Sequence, residues 1–560
     1  MRKQTRSCPM VFSIFLCLLA LLIVACGGPT TPPKSNAAAA SPDKQVLRLP
    51  IGVPDFTSLD PAVSNAAADF PVVNLLFPGL VKLNNDNSVA LNLATSYKVS
   101  PDGLSWTFTL RPNLTFSDGT SLGAQDVAYS INRALTPATG SRSASFLSPI
   151  KDFQPMLTGK ITTLIGDSLI VNSPTSITIV LGAPAPYFLQ ELAQLTSRVV
   201  NKALIDKYKT TWTDHLSEGA GAGPFKVDSY SHSQGMTLVP NPNFFGTKAR
   251  LQKIEYLPSS DPATVYKEYL AGQVDYTVVP PSNLASAKSR KDFQQAPSLS
   301  ISFVAMNFLA PPFNNLHIRQ AFDLAVNKDV LNNTVLHNSG IPTNHLLPKG
   351  VTGFNQKLTG PDGVSGTAGD KTKAQQLLQQ GLSEAGYSSI SALPAIVFTY
   401  PNISVDTQHL AEALVQEWQN VLGITVQLRG MDFATFVSTV FPATLGHTGP
   451  LQMWFLGYGE LADPFFWVNS FFTSAGSFGQ GNYGHTPEEL AVQQELETAA
   501  TNGDAQQRIQ QYNDAEQKLA NDVAWIPIIQ GVTQVLLNPK VQNYNANGPT
   551  ETPSDTYIAA

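Results

Sequence analysis

Leu93-Ala94-Thr95-Ser96-Tyr97, Asp102-Gly103-Leu104-Ser105-Trp106-Thr107-Phe108-Thr109-Leu110-Arg111, Phe116-Ser117-Asp118-Gly119-Thr120 and Ala124-Gln125-Asp126-Val127 form the stretch that decides the fold of this 560-residue chain. Ser105 to Leu110 alternates polar and apolar residues, as a half-buried strand does. Asp102-Gly103 and Asp118-Gly119 are turn dipeptides on either side of it. Gly123 stands at the cap of a helix that opens at Ala124, and Asp126 puts a carboxylate in its first turn.

The same mixture continues outward. Asp261-Pro262 opens a helix with a capping Asp and a first-turn Pro; Val265, Tyr269 and Leu270 line one face and Gly272 closes it. Thr486-Pro487-Glu488-Glu489 reads as a capping box. Ile509, Tyr512 and Leu519 recur at helical spacing, and Trp525-Ile526-Pro527-Ile528-Ile529 begins a strand. Helices and strands mixed along the whole chain predict an α/β protein. No internal repeat of fixed period is present.

The N-terminus has a different character. Arg2, Lys3 and Arg6 precede Met10 to Ala25, which is 16 residues with only Ser13 polar. This is the layout of a secretion signal, and it is short of the about 20 residues that a membrane span takes. Ile23-Val24-Ala25-Cys26 resembles a bacterial lipobox, which implies cleavage before Cys26 and lipidation of its thiol. The alternative is an uncleaved anchor; either way the function lies outside the cytoplasm. Cys8 and Cys17 lie in the leader, so the mature chain has no disulfide, Cys-based metal site or thiol nucleophile. Residues 26 to 45 are rich in Gly, Pro, Ser and Ala and read as a lipid-anchored flexible tether.

Composition excludes other classes. Apolar content is 43% and charged content 14%, which argues for a packed core rather than disorder. The formal charge of −6 becomes −9 once the three basic residues of the leader are removed, which argues against nucleic acid as a partner. The eight histidines (215, 232, 317, 337, 345, 409, 447, 485) are scattered, so no metal site is expected. No Walker A sequence is present. Gly119-Thr120-Ser121-Leu122-Gly123 matches the G-x-S-x-G elbow of hydrolases, but a turn precedes Ser121 where that elbow needs a strand.

Beyond the opening stretch, Leu59-Asp60-Pro61-Ala62, Gly221-Ala222-Gly223-Pro224-Phe225, Asn241-Pro242-Asn243-Phe244-Phe245-Gly246, Ala271-Gly272-Gln273-Val274-Asp275 and Ile318-Arg319-Gln320-Ala321 follow in order. With these motifs, nearly the whole mature chain resembles the family 5 extracytoplasmic solute-binding proteins of ABC importers, the oligopeptide, dipeptide and nickel group. One departure is Gly123, where the family usually has a capping Thr. The resemblance implies a two-lobed, type II periplasmic-binding-protein-like α/β fold with a hinge and an extra domain on the N-terminal lobe. It also implies boundaries: a signal at 1–25, the tether at 26–45, lobe I from 46–79, 185–290 and 525–560, the extra domain at 80–184, and lobe II at 291–524. It implies a monomer that binds a peptide or other small solute without cofactor or covalent chemistry and delivers it to permease subunits with a cytoplasmic ATPase; the alternative is the same fold acting as an envelope receptor or chaperone without import.

Within Met453-Trp454-Phe455-Leu456-Gly457-Tyr458-Gly459-Glu460-Leu461-Ala462-Asp463-Pro464 the resemblance implies a ligand-lining segment. Peptide-binding members carry an Asp three residues after the Trp, and it pairs with the ligand's ammonium. Here Gly457 stands at that position. Three readings remain open. Glu460 or Asp463 takes the ammonium; the ligand is a sugar, opine or metal chelate; or Asp463-Pro464 is simply a helix cap. Trp454 and Tyr458 suit stacking on a ligand and suit a core equally.

Overall fold

The computed structural model describes residues 37–259, 261–443, 451–474, 476, 482–545 and 554–560. The signal and Cys26 therefore lie outside the described residues. The strand Ser105–Leu110 forms as its alternation predicts: Trp106, Phe108 and Leu110 point inward while Ser105, Thr107 and Thr109 are more exposed. It pairs antiparallel with Ala94–Val99 on one side and Ser176–Val180 on the other, and Leu169–Ser173 completes a small four-stranded sheet. Helix Ala124–Leu135 packs its apolar face into the same core through Val127, Ile131 and Leu135. Its N-terminus begins tight against Pro174: Ala124 N donates to Pro174 O at 2.9 Å, and Asp126 Oδ2 accepts from Gly123 N at 2.9 Å. A Cβ at Gly123 would meet Pro174 O at 2.8 Å, which is a physical reason for Gly at this cap.

A second four-stranded sheet runs Val46–Pro50, Lys253–Leu257, Gly235–Pro240, Phe225–Ser231. Its first pair is parallel and the others antiparallel. The third sheet has seven strands. Its path is Tyr276–Val278, Trp525–Leu537, Phe293–Met306, Met453–Gly459, Ile396–Pro401 and Val426–Met431, with Gly340–Pro342 also paired to Trp525–Leu537. One apolar core lies on each face of this sheet. Helix Val405–Leu422 and its Trp418 belong to one, and Trp454, Trp467 and Trp525 belong to the other. Strands and helices alternate through the third sheet, so the fold is α/β.

Three sequence expectations need adjustment. The tether ends before Gln45. Ala39 bridges Ala559, residues 42–44 form a turn, and the buried Gln45 amide donates to Ala40 O and Ile558 O while its Oε1 accepts from Ile558 N. The strand that starts at Trp525 stays in the seven-stranded sheet to Leu537. Among the described residues the chain joins the core of the second sheet from Leu537 onward, through Leu537, Val541, Tyr544 and Ile558, and residues 525–537 are a strand of the third sheet. In helix Pro262–Leu270 the buried face is Val265, Tyr266 and Tyr269, while Leu270 is 51% exposed. At 100° per residue, Leu270 lies well off the line through Val265 and Tyr269. The caps themselves form as read: Asp261 Oδ1 accepts from Thr264 N, and Thr486 and Glu489 close their box reciprocally.

Candidate functional site

Strands Ile396–Pro401 and Val426–Met431 run parallel in register, and Ile396–Pro401 is also parallel to Met453–Gly459. Their carboxyl ends therefore emerge on one side of the sheet. In open α/β sheets that side carries the ligand crevice. Ile403 and Val405 follow the first strand and are 60% and 64% exposed; Phe433 follows the second and is 56% exposed. The third strand end is the segment Gly459 to Asp463.

The structure places the four sequence candidates in that third region with different roles. Trp454 is fully buried, opposite Ala305 and Thr399, and its Nε1 has no hydrogen-bond partner among the described residues. Tyr458 is half-buried, set edge-on to Trp467 and Phe471, with its hydroxyl donating to Phe466 O at 3.1 Å and to Glu460 Oε2 at 3.4 Å. Asp463 is buried. Its Oδ1 accepts from Phe465 N at 3.0 Å at the start of a helical turn, and both oxygens take a bidentate contact from Arg508 at 2.6 and 2.8 Å. Arg508 is itself fixed by Nε donating to Ala499 O.

This arrangement separates the two carboxylates chemically. The charge of Asp463 is matched by a guanidinium. Glu460 receives Leu461 N and the Tyr458 hydroxyl and has no cation partner among the described residues. Burial pushes its carboxyl above the usual range. Gly457 is exposed, and a Cβ there would meet only Ser302 Oγ at 3.8 Å, an ordinary contact.

Glu191 was not singled out from sequence. It sits on the short helix Phe188–Leu192, is 3% exposed, and is raised well above the ordinary carboxyl range by burial, with Asp463 and Glu460 adding in the same direction. Its neighbour one turn earlier, Tyr187, packs against both the small-sheet core and the core that holds Trp454. The only local signal is one carboxylate in the run Pro184-Ala185-Pro186-Tyr187-Phe188-Leu189-Gln190-Glu191-Leu192. Ser121 is exposed in a loop, with the helix starting at Ala124 and no strand directly before it. Among the described residues no three His, Cys, Asp or Glu side chains converge as a metal site requires, and no helix is long and apolar enough to cross a membrane.

The family model described as bacterial extracellular solute-binding proteins, family 5 Middle, matches residues 88–479. The chain belongs to this family of extracellular solute-binding proteins. The oligopeptide-binding protein OppA of Bacillus subtilis is 27% identical over 80% of this chain and 81% of its own length. The periplasmic murein peptide-binding protein MppA of Escherichia coli is 29% identical over 88% of this chain and 89% of its own. The unliganded open form of the MppA murein tripeptide-binding protein superposes with a TM-score of 0.80 at 26% identity, covering 94% of this chain and 99% of that one. Family 5 proteins are two-lobed binding proteins rather than enzymes, and this solute-binding protein shares that architecture.

Proposed function

We propose that this chain captures an oligopeptide or dipeptide between its two lobes outside the cytoplasm and delivers it to an ABC permease driven by a cytoplasmic ATPase. The observation that carries the reading is the match to proteins named for oligopeptides and murein peptides over 80% or more of this chain. Support comes from the exposed Ile403, Val405 and Phe433 at the strand ends, which offer apolar surface to ligand side chains. Glu460 supports it as the carboxylate left without a cation, since a buried ligand ammonium needs a nearby anion. A ligand that touches both lobes favours closure by its differential affinity alone, so no chemistry is required.

In this reading Cys26 carries the lipid anchor, Trp454 stiffens the floor of the site, and the protein acts as a monomer. The second reading, a non-peptide solute, is favoured by one feature, Gly457 in place of the family's carboxylate. Native mass spectrometry of the body expressed from residue 27, before and after mild denaturation, separates the two. A released peptide series supports peptide capture; a released sugar or chelate reassigns the substrate. Cys26→Ala moving the protein from the membrane fraction to the soluble fraction tests the anchor.

A further inference from the structure

Helix Phe188–Leu192 is rooted in the small-sheet core through Phe188 and Leu192. Glu191 is carried on that helix, and its Oε2 is buried with no hydrogen-bond partner among the described residues. The charged groups that act on it are Asp463 and Glu460, both on the segment that follows Met453–Gly459 in the other core. On its own side the ionisable neighbour is Tyr187, whose ring stacks on Phe465 and sits edge-on to Phe466. Arg508, from helix Ala505–Asn521, gives both its terminal nitrogens to Asp463. Tyr187, one turn before Glu191, thus touches the chain just after Glu460 and Asp463, and the guanidinium at that segment is committed to Asp463.

A dry carboxylate without a cation or donor neutralises itself by taking a proton. We propose that Glu191 is a proton-operated latch between the two cores: neutral, it lets its helix rest against the Glu460–Asp463 segment; ionised, it repels that segment and frees it. The proton leaves to solvent, and the negative charge left behind faces Glu460 and Asp463 in a low-dielectric junction where repulsion is strong. Where Glu191 and Glu460 interact strongly, their protons leave in two macroscopic steps that belong to the pair, and the step that charges Glu191 against an existing anion is the one that opens the latch. The consequence is that acid outside the cell holds this junction shut and alkali loosens it. This concerns how the two cores move rather than which solute they hold.

Hydrogen–deuterium exchange of the full chain, read by mass spectrometry, tests the latch without any ligand. The wild type and Glu191→Gln are compared at each of a series of pH values, so that the intrinsic pH dependence of exchange cancels. Segments 186–193 and 460–468 are expected to exchange alike in the two proteins at acid pH. At alkaline pH they are expected to exchange at least about fivefold faster in the wild type, a factor of about 1 kcal/mol at room temperature. A ratio that stays at one across the series overturns the proposal. Glu460→Gln is the second variant, in case Glu191→Gln does not fold. Removing one of the two anions eases ionisation of Glu191, so loosening should begin at lower pH; an unmoved midpoint overturns the latch.

Discussion

The ring of Tyr187 stacks on Phe465 with centroids 3.7 Å apart and planes 10° from parallel. Tyr187 immediately precedes the helix that is rooted in the small-sheet core, and Phe465 follows the cap made by Asp463 in the core of the seven-stranded sheet. The stack therefore bridges the small-sheet core and the core that holds Trp454. It also sets the position of Asp463, because the backbone N–H of Phe465 is the donor that Asp463 caps.

Tyr187→Ala is expected to loosen that junction. An aromatic pair contributes about 1 kcal/mol beyond its buried area. The balance between the packed and separated arrangements should then move about fivefold toward separation, visible as a larger radius of gyration in small-angle X-ray scattering. An unchanged scattering profile would show that the stack does not hold the two cores.

Asp463→Ala and Glu460→Gln should divide structure from binding. The first strands Arg508 as a buried charge without its bidentate partner, a change of about 3–5 kcal/mol against folding. Its urea midpoint should fall sharply. Glu460→Gln removes an unmatched buried charge, so its midpoint should hold or rise while affinity for an amine-bearing peptide falls. If Asp463→Ala folds normally and abolishes binding instead, the roles given to these two residues are reversed.

These residues also show where sequence reading stops. The Asp-Pro pair makes the cap at Asp463 legible because a cap is local, but its partner Arg508 lies on another helix and leaves no mark on the segment. The Ser105–Leu110 strand is legible because one face is buried, so alternation survives in the residues. The sheet membership of Trp525–Leu537 is not, since it is set by pairing with Phe293–Met306, far away in sequence. Glu191 is invisible for the same reason: packing, not its neighbours in the chain, buries it. Gly123 looks like a weak cap until the Pro174 carbonyl is seen against it.

Gly123→Thr, the residue the family pattern suggests, should accordingly destabilise this chain. The new Cβ would meet a backbone carbonyl at 2.8 Å, which cannot swing aside as a side chain would. Overpacking of this kind costs about 1–3 kcal/mol, against about 1 kcal/mol or less to be gained from a better cap. A lowered urea midpoint is expected; a raised one would mean that the strand end at Pro174 yields easily.

Stability should fall as pH rises out of the acid range. Burial raises the carboxyls of Glu191 and Glu460 above their unfolded values. The folded state then holds protons that the unfolded chain has released. The stability these groups contribute is fully present below the unfolded carboxyl value, near 4.5, and is lost as pH climbs through the folded ones. Glu191→Gln should flatten this decline in denaturation midpoints measured across pH. An identical slope in the variant would mean that Glu191 titrates alike in the folded and unfolded protein.

Gly457→Asp tests the site from the opposite direction. The position is exposed, and the added Cβ meets only Ser302 Oγ at 3.8 Å, so the fold should accept the change with little loss. It would place a carboxylate where the peptide-binding members of the family carry theirs. If the ligand is a peptide with a free amine, the variant should bind it more tightly, by about tenfold for a charge-assisted hydrogen bond of about 1.5 kcal/mol. The N-acetylated peptide should gain nothing, because it offers no cation. Calorimetric titration of the two peptides against wild type and variant reads the difference directly. If the variant and the wild type bind the free-amine peptide equally, and acetylation weakens binding to both alike, the ligand's amine lies away from Gly457 and Glu460 is the anion that orients it; four equal affinities would remove both carboxylates from that role.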